Sequence, residues 1–198
     1  MYKGIDISFW NGLKINFTAA YAAGYSFLYI KATEGRSRRE PNAAQQDADA
    51  IAAQMAVGYY HFAHLGEDSA LDEAALFNDV IQQGTSTLIP VVDVETNKSN
   101  LSPAQFTQWL SDFVGAMKGY GHSKVMIYAG TWLMNNSFLP DAVLADCPLW
   151  LADYEATPHI PHGWTSYAIW QDSQQGQIPD INGTFDMDIC PDITLITA

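Results

Sequence analysis

The sequence predicts an α/β fold, a modified TIM-like β/α barrel with about five βα units followed by three strands that lack helices. Over residues 1–138, short apolar runs rich in β-formers alternate with helical segments, and after that the helices stop. Polar side chains also close nearly every predicted strand, and the carboxyl ends of strands build the active sites of such barrels. An open doubly wound sheet is the alternative, although no Gly-rich phosphate loop follows the first strand.

Five strands are each followed by a predicted helix. The strands cover residues 3–7, 26–32, 57–62, 88–94 and 124–130, and the helices cover residues 16–24, 41–58, 69–84, 102–121 and 131–138. Asn16, Ser69 and Ser102 are typical helix N-caps, and Pro103 suits a first helical turn. These signals divide the first part of the chain into five βα units.

Three strand-like runs complete the chain, at residues 148–154, 166–172 and 183–189. Asn182-Gly183 marks a tight turn before the last of them. Losing the final helices explains why 198 residues suffice for a barrel that typically takes about 250. With no linker or repeat in the sequence, we expect one domain over residues 1–198.

The composition argues against several classes of partner. The net charge is −13 with nine Lys plus Arg, so the clustered cations that nucleic acid or an anionic membrane surface requires are missing. We also find no run long enough for a membrane helix and no signal-peptide pattern in MYKGIDISFW, so export would use another route or a leader absent from this chain. Cys147 and Cys190 are expected to be free and structural, since their number and spacing fit neither a zinc site nor a disulfide scaffold, and a disulfide between them is the alternative.

The fourth strand, in LIPVVDVET, ends in two carboxylates, Asp93 and Glu95. At positions i and i+2 of a strand they share one face, with Cα atoms about 6.5–7 Å apart. Such proximity raises the pKa of one carboxyl, which provides an acid and a base at one pH. Two alternatives stay open: a strand that simply ends in solvent, or a Mg²⁺ or Ca²⁺ site that adds Asp6 and His61.

Aromatic residues near the predicted strand ends favour a sugar ligand over a metal. Flat apolar faces beside hydrogen-bonding carboxylates suit sugar rings better than a hydrated cation. The aromatics are Trp10, Tyr59, Tyr60, Tyr128, Trp150, Tyr154 and Trp170. Strand alternation assigns Trp150 and one of Tyr59 and Tyr60 to core packing.

The motifs GIDISFW, FLYIKATEG, GYYHF, PVVDVE, IYAG, LWLADY, AIWQD and GTFDMDI occur in this order along the chain. In order and spacing they resemble the glycoside hydrolase family 25 lysozymes, also called Chalaropsis-type muramidases. The resemblance covers essentially the whole chain, and it implies one catalytic glycoside hydrolase domain over residues 1–198 with the barrel described above.

The resemblance implies that this chain is a peptidoglycan hydrolase that cleaves the β-1,4 bond from N-acetylmuramic acid to N-acetylglucosamine. Glu95 would be the general acid and then the base, and Asp93 would assist the substrate N-acetyl group as it attacks the anomeric carbon. Direct attack by a carboxylate is the alternative. Asp6 and Asp186 would supply negative potential. Sugar contacts would come from Tyr60, Tyr128, Asp153, Trp170 and Gln171, with Glu34 as a further candidate.

The resemblance implies no cofactor and no metal. Its partners would be peptidoglycan glycan strands, with no nucleic acid, no membrane and a monomeric state. The enzyme would act on the bacterial cell wall after secretion or release from the cytoplasm. Two positions depart from the family pattern: the family often has Gln where this chain has Asn11, and Asn where it has Asp188. His61 is a strand neighbour of Tyr60 and must therefore face away from the cleft. A carbohydrate-binding protein and a metal-dependent hydrolase on the same scaffold are the rival hypotheses.

Overall fold

A computed structural model describes all residues, 1–198. Its nine strands are β1 Tyr2–Ile7, β2 Tyr25–Glu34, β3 Arg38–Arg39, β4 Ala56–Phe62, β5 Val91–Val94, β6 Met126–Gly130, β7 Leu149–Ala152, β8 Ile169–Gly176 and β9 Phe185–Cys190. Its five helices are α1 Phe17–Ala22, α2 Ala43–Ala52, α3 Ala70–Ile81, α4 Pro103–Gly119 and α5 Thr131–Ser137. No helix combines the length and hydrophobicity needed to cross a bilayer.

Eight of the strands close into a barrel, which confirms the predicted fold. The order is β1-β9-β8-β7-β6-β5-β4-β2, and β1 pairs with β2 to complete the ring. Each of β1, β2, β4, β5 and β6 leads to a helix, whereas β7, β8 and β9 have none. All neighbours are parallel except at β9, which runs antiparallel to β1 and to β8. The beginning of β9 therefore lies beside the carboxyl ends of the other strands.

Two apolar cores flank the strands, because successive side chains alternate between the faces. The inner core contains Phe27, Tyr29, Val91 and Trp150. The outer core lies between the barrel and the helices. Gly4 faces the inner core, where a Cβ atom would lie 2.2 Å from the Phe27 ring, so no larger residue fits.

Three predicted elements have other boundaries in the structure. The second helix ends at Ala52 rather than near Gly58, because Gln54 adopts a positive φ of 69° and the following residues join β4. The fourth strand begins at Val91, since the segment before it turns to the chain terminus, where the Ile89 amide donates to the Ile196 carbonyl. The third helix is also shorter than predicted, at Ala70–Ile81.

Two of the three predicted N-caps are observed: Asn16 and Ser102 accept hydrogen bonds from backbone amides of α1 and α4, whereas Ser69 stands at the start of α3 without a side-chain capping bond. Ser102 accepts a hydrogen bond from the Gln105 amide while the Gln105 side chain accepts one from Ser102, which forms a capping box at the start of α4. Cys147 and Cys190 are both free and buried, as expected. The two-residue strand β3, which pairs with the end of β2, was not predicted.

Candidate active site

A cavity of about 230 Å³ opens at the carboxyl ends of the parallel strands. Thirteen residues line it: Asp6, Ser8, Trp10, Lys31, Tyr60, Phe62, Asp93, Glu95, Tyr128, Trp150, Gln171, Gln174 and Asp186. The four predicted reactive carboxylates and three of the six predicted sugar contacts are among them. The barrel thus gathers into one cavity residues that are up to 180 positions apart in the chain.

Strand alternation explains how the carboxylates meet. Val92 and Val94 of β5 pack in the outer core, which turns Asp93 and Glu95 toward the cavity. Asp6 of β1 lies opposite Asp186 in the antiparallel register with β9. Because β9 is reversed, its second residue reaches the same edge as the last residues of the parallel strands. Strands β1, β5 and β9 therefore supply three of the carboxylates, and Glu95 directly follows β5.

Burial makes these carboxylates hard to ionise. The pKa values of Asp6 and Asp93 lie well above the usual range. Burial is the largest cause, and repulsion from neighbouring carboxylates is the second. The same two effects raise the pKa of Asp186 to about 6. Burial also raises the pKa of Glu95, although Lys31 and Lys98 oppose the shift. The site accordingly holds protons that isolated carboxyls would release.

Lys31 is the single basic side chain in the cavity wall. Its Nζ lies 4.5 Å from the centre of the Phe62 ring and donates to Glu34 Oε2 at 2.6 Å. Glu34 also contacts Arg38 and His64, at 3.4 and 3.3 Å. Burial acts to raise the pKa of Glu34, but the hydrogen bond and charge of Lys31, together with Arg38 and His64, lower it overall. Glu34 is thus an anion that holds Lys31 from behind the cavity wall.

Gln171 links the polar groups on the opposite side. Its amide Nε2 donates to Asp6 Oδ2 at 2.7 Å. Its Oε1 accepts from the hydroxyls of Tyr128 and Tyr154, at 2.9 and 2.6 Å. These three bonds fix the amide, and through it one carboxylate oxygen of Asp6.

Trp150 and Asp188 lie deeper in the barrel. The Trp150 Nε1 donates to Asp188 Oδ1 at 2.8 Å, and the Asp188 side chain is buried with Oδ2 unpartnered. Burial, followed by the charge of Asp6, raises the pKa of Asp188 well above its usual range. The ring of Trp150 packs edge-on against Tyr60 and Tyr128. Trp150 therefore supports the tyrosines of the cavity from below.

Three predicted sugar contacts lie outside the cavity wall: Glu34, Asp153 and Trp170. Trp170 alternates with Gln171 and so faces away, and its Nε1 donates to the carbonyl of Asp153. The Asp153 carboxylate accepts from the amide and Nδ1 of His159 and from the amide of Glu155. These side chains organise the neighbouring loop.

Lys31, Phe62, Trp10 and Tyr154 contribute to the site or its rim but were not among the predicted site residues. Lys31 and Phe62 share strand parity with inward-facing residues on β2 and β4, a signal that could have identified them. Trp10 lies in a single 3₁₀ turn, Phe9–Asn11, and Tyr154 lies on a loop, so strand parity gives no information about either side chain. As predicted, His61 faces away from Tyr60, and it is fully buried in the outer layer.

Comparisons with known proteins agree with this geometry. The sequence profile of Glycosyl hydrolases family 25 matches residues 5–181. The chain is 33% identical to an N,O-diacetylmuramidase from Chalaropsis sp., over 93% of this chain and 95% of that protein. It is 31% identical to lysozyme M1 from Streptomyces globisporus, over 93% of this chain and 66% of that protein. The solved structure of a muramidase from Trichobolus zukalii superposes with a TM-score of 0.86 at 29% identity, covering 97% of this chain and 94% of the other.

Proposed function

The chain belongs to glycosyl hydrolases family 25, and from this premise we propose that it is a peptidoglycan hydrolase, an N-acetylmuramidase that cleaves the β-1,4 bond between N-acetylmuramic acid and N-acetylglucosamine. The observation that carries the proposal is the convergence of Asp6, Asp93, Glu95 and Asp186 in one cavity at the mouth of the barrel. Paired carboxyls of this kind are the machinery of glycoside hydrolysis.

Glu95 is the proposed general acid. Burial raises the pKa of its carboxyl, so the side chain keeps the proton that the leaving glycosidic oxygen must receive. After the bond breaks, the Glu95 carboxylate takes a proton from the water that attacks the anomeric carbon. One residue thereby acts as acid in the first step and as base in the second.

Asp93 is proposed to orient the substrate N-acetyl group. Its Oδ1 is buried without a hydrogen-bond partner in the protein, so it is open to accept from an acetamido N–H. When Asp93 is ionised, a form that Lys31 favours by lowering its pKa, the carboxylate turns the acetamido oxygen toward the anomeric carbon and stabilises the positive charge that develops on the ring as that oxygen attacks. A fixed acceptor in a dry site is more effective than one in water.

Asp6 and Asp186 are proposed to supply negative potential. Repulsion between the carboxyls favours retention of protons in the cluster, and charge on those that ionise stabilises an oxocarbenium-like transition state. Gln171 holds one oxygen of Asp6 in place for this role. Tyr60, Tyr128 and Gln171 line the cavity and are proposed as sugar contacts. Glu34, Asp153 and Trp170 are proposed to support the wall instead.

The wider setting is proposed on the same basis. Residues 1–198 are taken as one catalytic domain that acts as a monomer on glycan strands in the bacterial cell wall, after secretion or release from the cell. Neither a metal nor a cofactor takes part in the steps above, because Glu95 itself activates the water.

Digestion of purified cell walls tests the function. We expect the walls to clear and the new reducing ends to lie on muramic acid. Reducing ends on glucosamine would contradict the muramidase assignment. Binding to walls without any product would favour the carbohydrate-binding hypothesis, and loss of clearing in EDTA would favour a metal-dependent hydrolase.

A further inference from the structure

A second, shallower groove lies on the same face of the barrel as the carboxylate cavity. It measures about 570 Å³ and is lined by Gly130, Thr131, Trp132, Asn135, Asn136, Ala152, Asp153, Tyr154, Glu155 and His159. All of these residues belong to the ends of β6 and β7 or to the segments that follow them. We call it the Trp132 groove. Tyr154 joins the two sites, since it forms part of the groove and donates to Gln171 in the cavity wall.

The carboxylate cavity is too small for a polymer. Its volume of about 230 Å³ is below the roughly 300–1,000 Å³ of pockets that enclose a drug-sized ligand. A linear glycan cleaved there must continue across the surface on at least one side. The remaining sugars therefore need binding sites outside the cavity.

Two highly exposed tryptophans flank the barrel mouth. The side chain of Trp10, just after β1, is 84% exposed, and that of Trp132, just after β6, is 76% exposed. In the ring of eight strands β6 is four places from β1 in either direction, so the two residues lie on opposite sides of the mouth. A glycan that extends from one to the other must cross the barrel mouth, where the carboxylate cavity opens.

The Trp132 groove is held in shape before any ligand binds. The Thr131 hydroxyl donates to the His159 carbonyl, which joins the start of α5 to the loop after β7. Three hydrogen bonds to the Asp153 carboxylate then fix that loop internally. A groove with fixed walls loses little entropy when a ligand binds.

The groove also offers free polar groups beside the indole ring. Asn135 Oδ1 accepts from His162, and Asn136 Nδ2 donates to the carbonyl of Trp132. Asn135 Nδ2 and Asn136 Oδ1 have no partner in the protein, which leaves one donor and one acceptor next to a flat apolar face. That combination suits an N-acetylated pyranose ring, which has an apolar face edged by hydroxyl and acetamido groups.

We propose that the Trp132 groove is a distal glycan-binding subsite in which Trp132 stacks on a sugar ring of the strand cleaved at the carboxylate cavity. This inference rests on the proposed function, since it assumes that the substrate is a glycan. The groove adds affinity for long strands only, because a short glycan that fills the cavity does not reach it.

The test compares Trp132→Ala with the unmodified enzyme on peptide-free peptidoglycan glycans of two lengths. We expect kcat/KM for long glycans to fall about three- to tenfold, the range that aromatic contacts supply, with little change for the shortest glycan that is cleaved. Trp132→Phe keeps an aromatic face and is expected to recover part of the loss. Tyr120→Ala removes an exposed aromatic outside both sites and serves as the matched control.

Equal loss on short and long glycans, or no loss on either, would overturn the subsite. Loss only on walls that keep their stem peptides would show that the groove binds peptide instead. If the unmodified enzyme cleaves no glycan, the proposed function fails by itself. In that case, titration of long glycans decides the groove, because tighter binding to the unmodified protein than to Trp132→Ala supports the subsite and equal binding contradicts it.

Discussion

Glu95 is the side chain on which the proposed chemistry depends most directly. Replacing it with Gln keeps the size and the hydrogen-bonding capacity but removes the transferable proton. We expect Glu95→Gln to lower the rate of wall hydrolysis by about 10²–10⁴-fold, the usual contribution of general acid–base catalysis, while binding to walls is retained. Turbidity loss and a wall pull-down measure the two quantities.

Glu67→Gln is the matched control for this substitution, because Glu67 is exposed and lies outside the cavity. Its rate is expected to equal that of the unmodified enzyme. If Glu95→Gln hydrolyses walls within a few-fold of the normal rate, Glu95 is not the acid and another carboxyl in the cavity must donate the proton.

Glu34 is a positioning residue whose effect should appear in the pH profile. Its carboxylate holds Lys31 at 2.6 Å, and Lys31 lowers the pKa of both Asp93 and Glu95. In Glu34→Gln the ammonium loses its anionic partner and interacts more strongly with those carboxyls, so the pKa of Glu95, which burial raises, falls toward its ordinary value. We expect the alkaline limb of activity to move toward acid by about one pH unit, equivalent to about 1.4 kcal/mol.

Arg38→Gln separates this effect from general damage to the surface. Arg38 also contacts Glu34 but does not line the cavity, so its removal should leave the alkaline limb close to its normal position. A lower rate in Glu34→Gln with an unshifted limb would mean that Glu34 acts through structure alone.

Strand β4 and helix α3 are joined by a buried polar contact in the outer core. His61 Nε2 and Glu73 Oε2 are 2.6 Å apart, and both side chains are completely buried. Burial lowers the pKa of His61 to about 3 and raises that of Glu73 to about 7, so the charged forms are disfavoured for both. Thr33 and the His64 amide complete the hydrogen bonds of the pair. His61 thus has a structural place outside the cavity.

Removing Glu73 tests that structural role. Glu73→Ala leaves His61 Nε2 and the His64 amide without hydrogen-bond partners. Each buried polar group without a partner lowers the free energy of unfolding by about 1–3 kcal/mol. We expect the free energy of unfolding from urea titration to fall by at least about 2 kcal/mol, while the folded enzyme keeps its turnover. Asp72→Ala, at the exposed preceding position, is the control. If Glu73→Ala lost turnover but kept its free energy of unfolding, His61 and Glu73 would take part in catalysis rather than in stability.

The elements that the sequence predicted well are those with local signals. Ser102 and Pro103 define the start of α4, and the alternation around Asp93 and Glu95 predicted which face they occupy. The end of α2 was predicted wrongly, because the helix stops before Gln54, which adopts a positive φ. A glutamine gives no sequence signal for that conformation. Trp170 was assigned to the site from its motif, although parity with Gln171 points it outward. Trp10 and Tyr154 were named among the aromatics that favour a sugar ligand, but neither lies on a strand, so alternation could not predict that their side chains reach the site.

At the scale of the whole molecule, the carboxylates that build the site work against the stability of the fold at neutral pH. Asp6, Asp93 and Asp188 have folded pKa values well above the unfolded ones, and that of Asp186 is about 6. A raised folded pKa contributes stability that is complete below the unfolded pKa and is lost as pH rises through the folded value. The stability that depends on protonated Asp186 is therefore lost between about pH 4 and 6. Asp6, Asp93 and Asp188 extend this loss of stability to higher pH. A net charge of −13 adds repulsion in the same direction.

We therefore expect the thermal midpoint to be higher near about pH 5 than near about pH 8. Asp188→Asn should raise the midpoint near the higher pH, because the amide keeps an oxygen for Trp150 Nε1 and cannot ionise. For a chain of this size each kcal/mol corresponds to about 2–4 °C, so scanning calorimetry resolves the change. The gain should shrink toward acid, where Asp188 is already protonated in the unmodified protein. Asp112→Asn removes an exposed carboxylate on α4 and controls for net charge. An equal gain in both variants, or one from Asp188→Asn that does not depend on pH, would show that burial of this carboxyl is not what makes the barrel less stable at neutral pH.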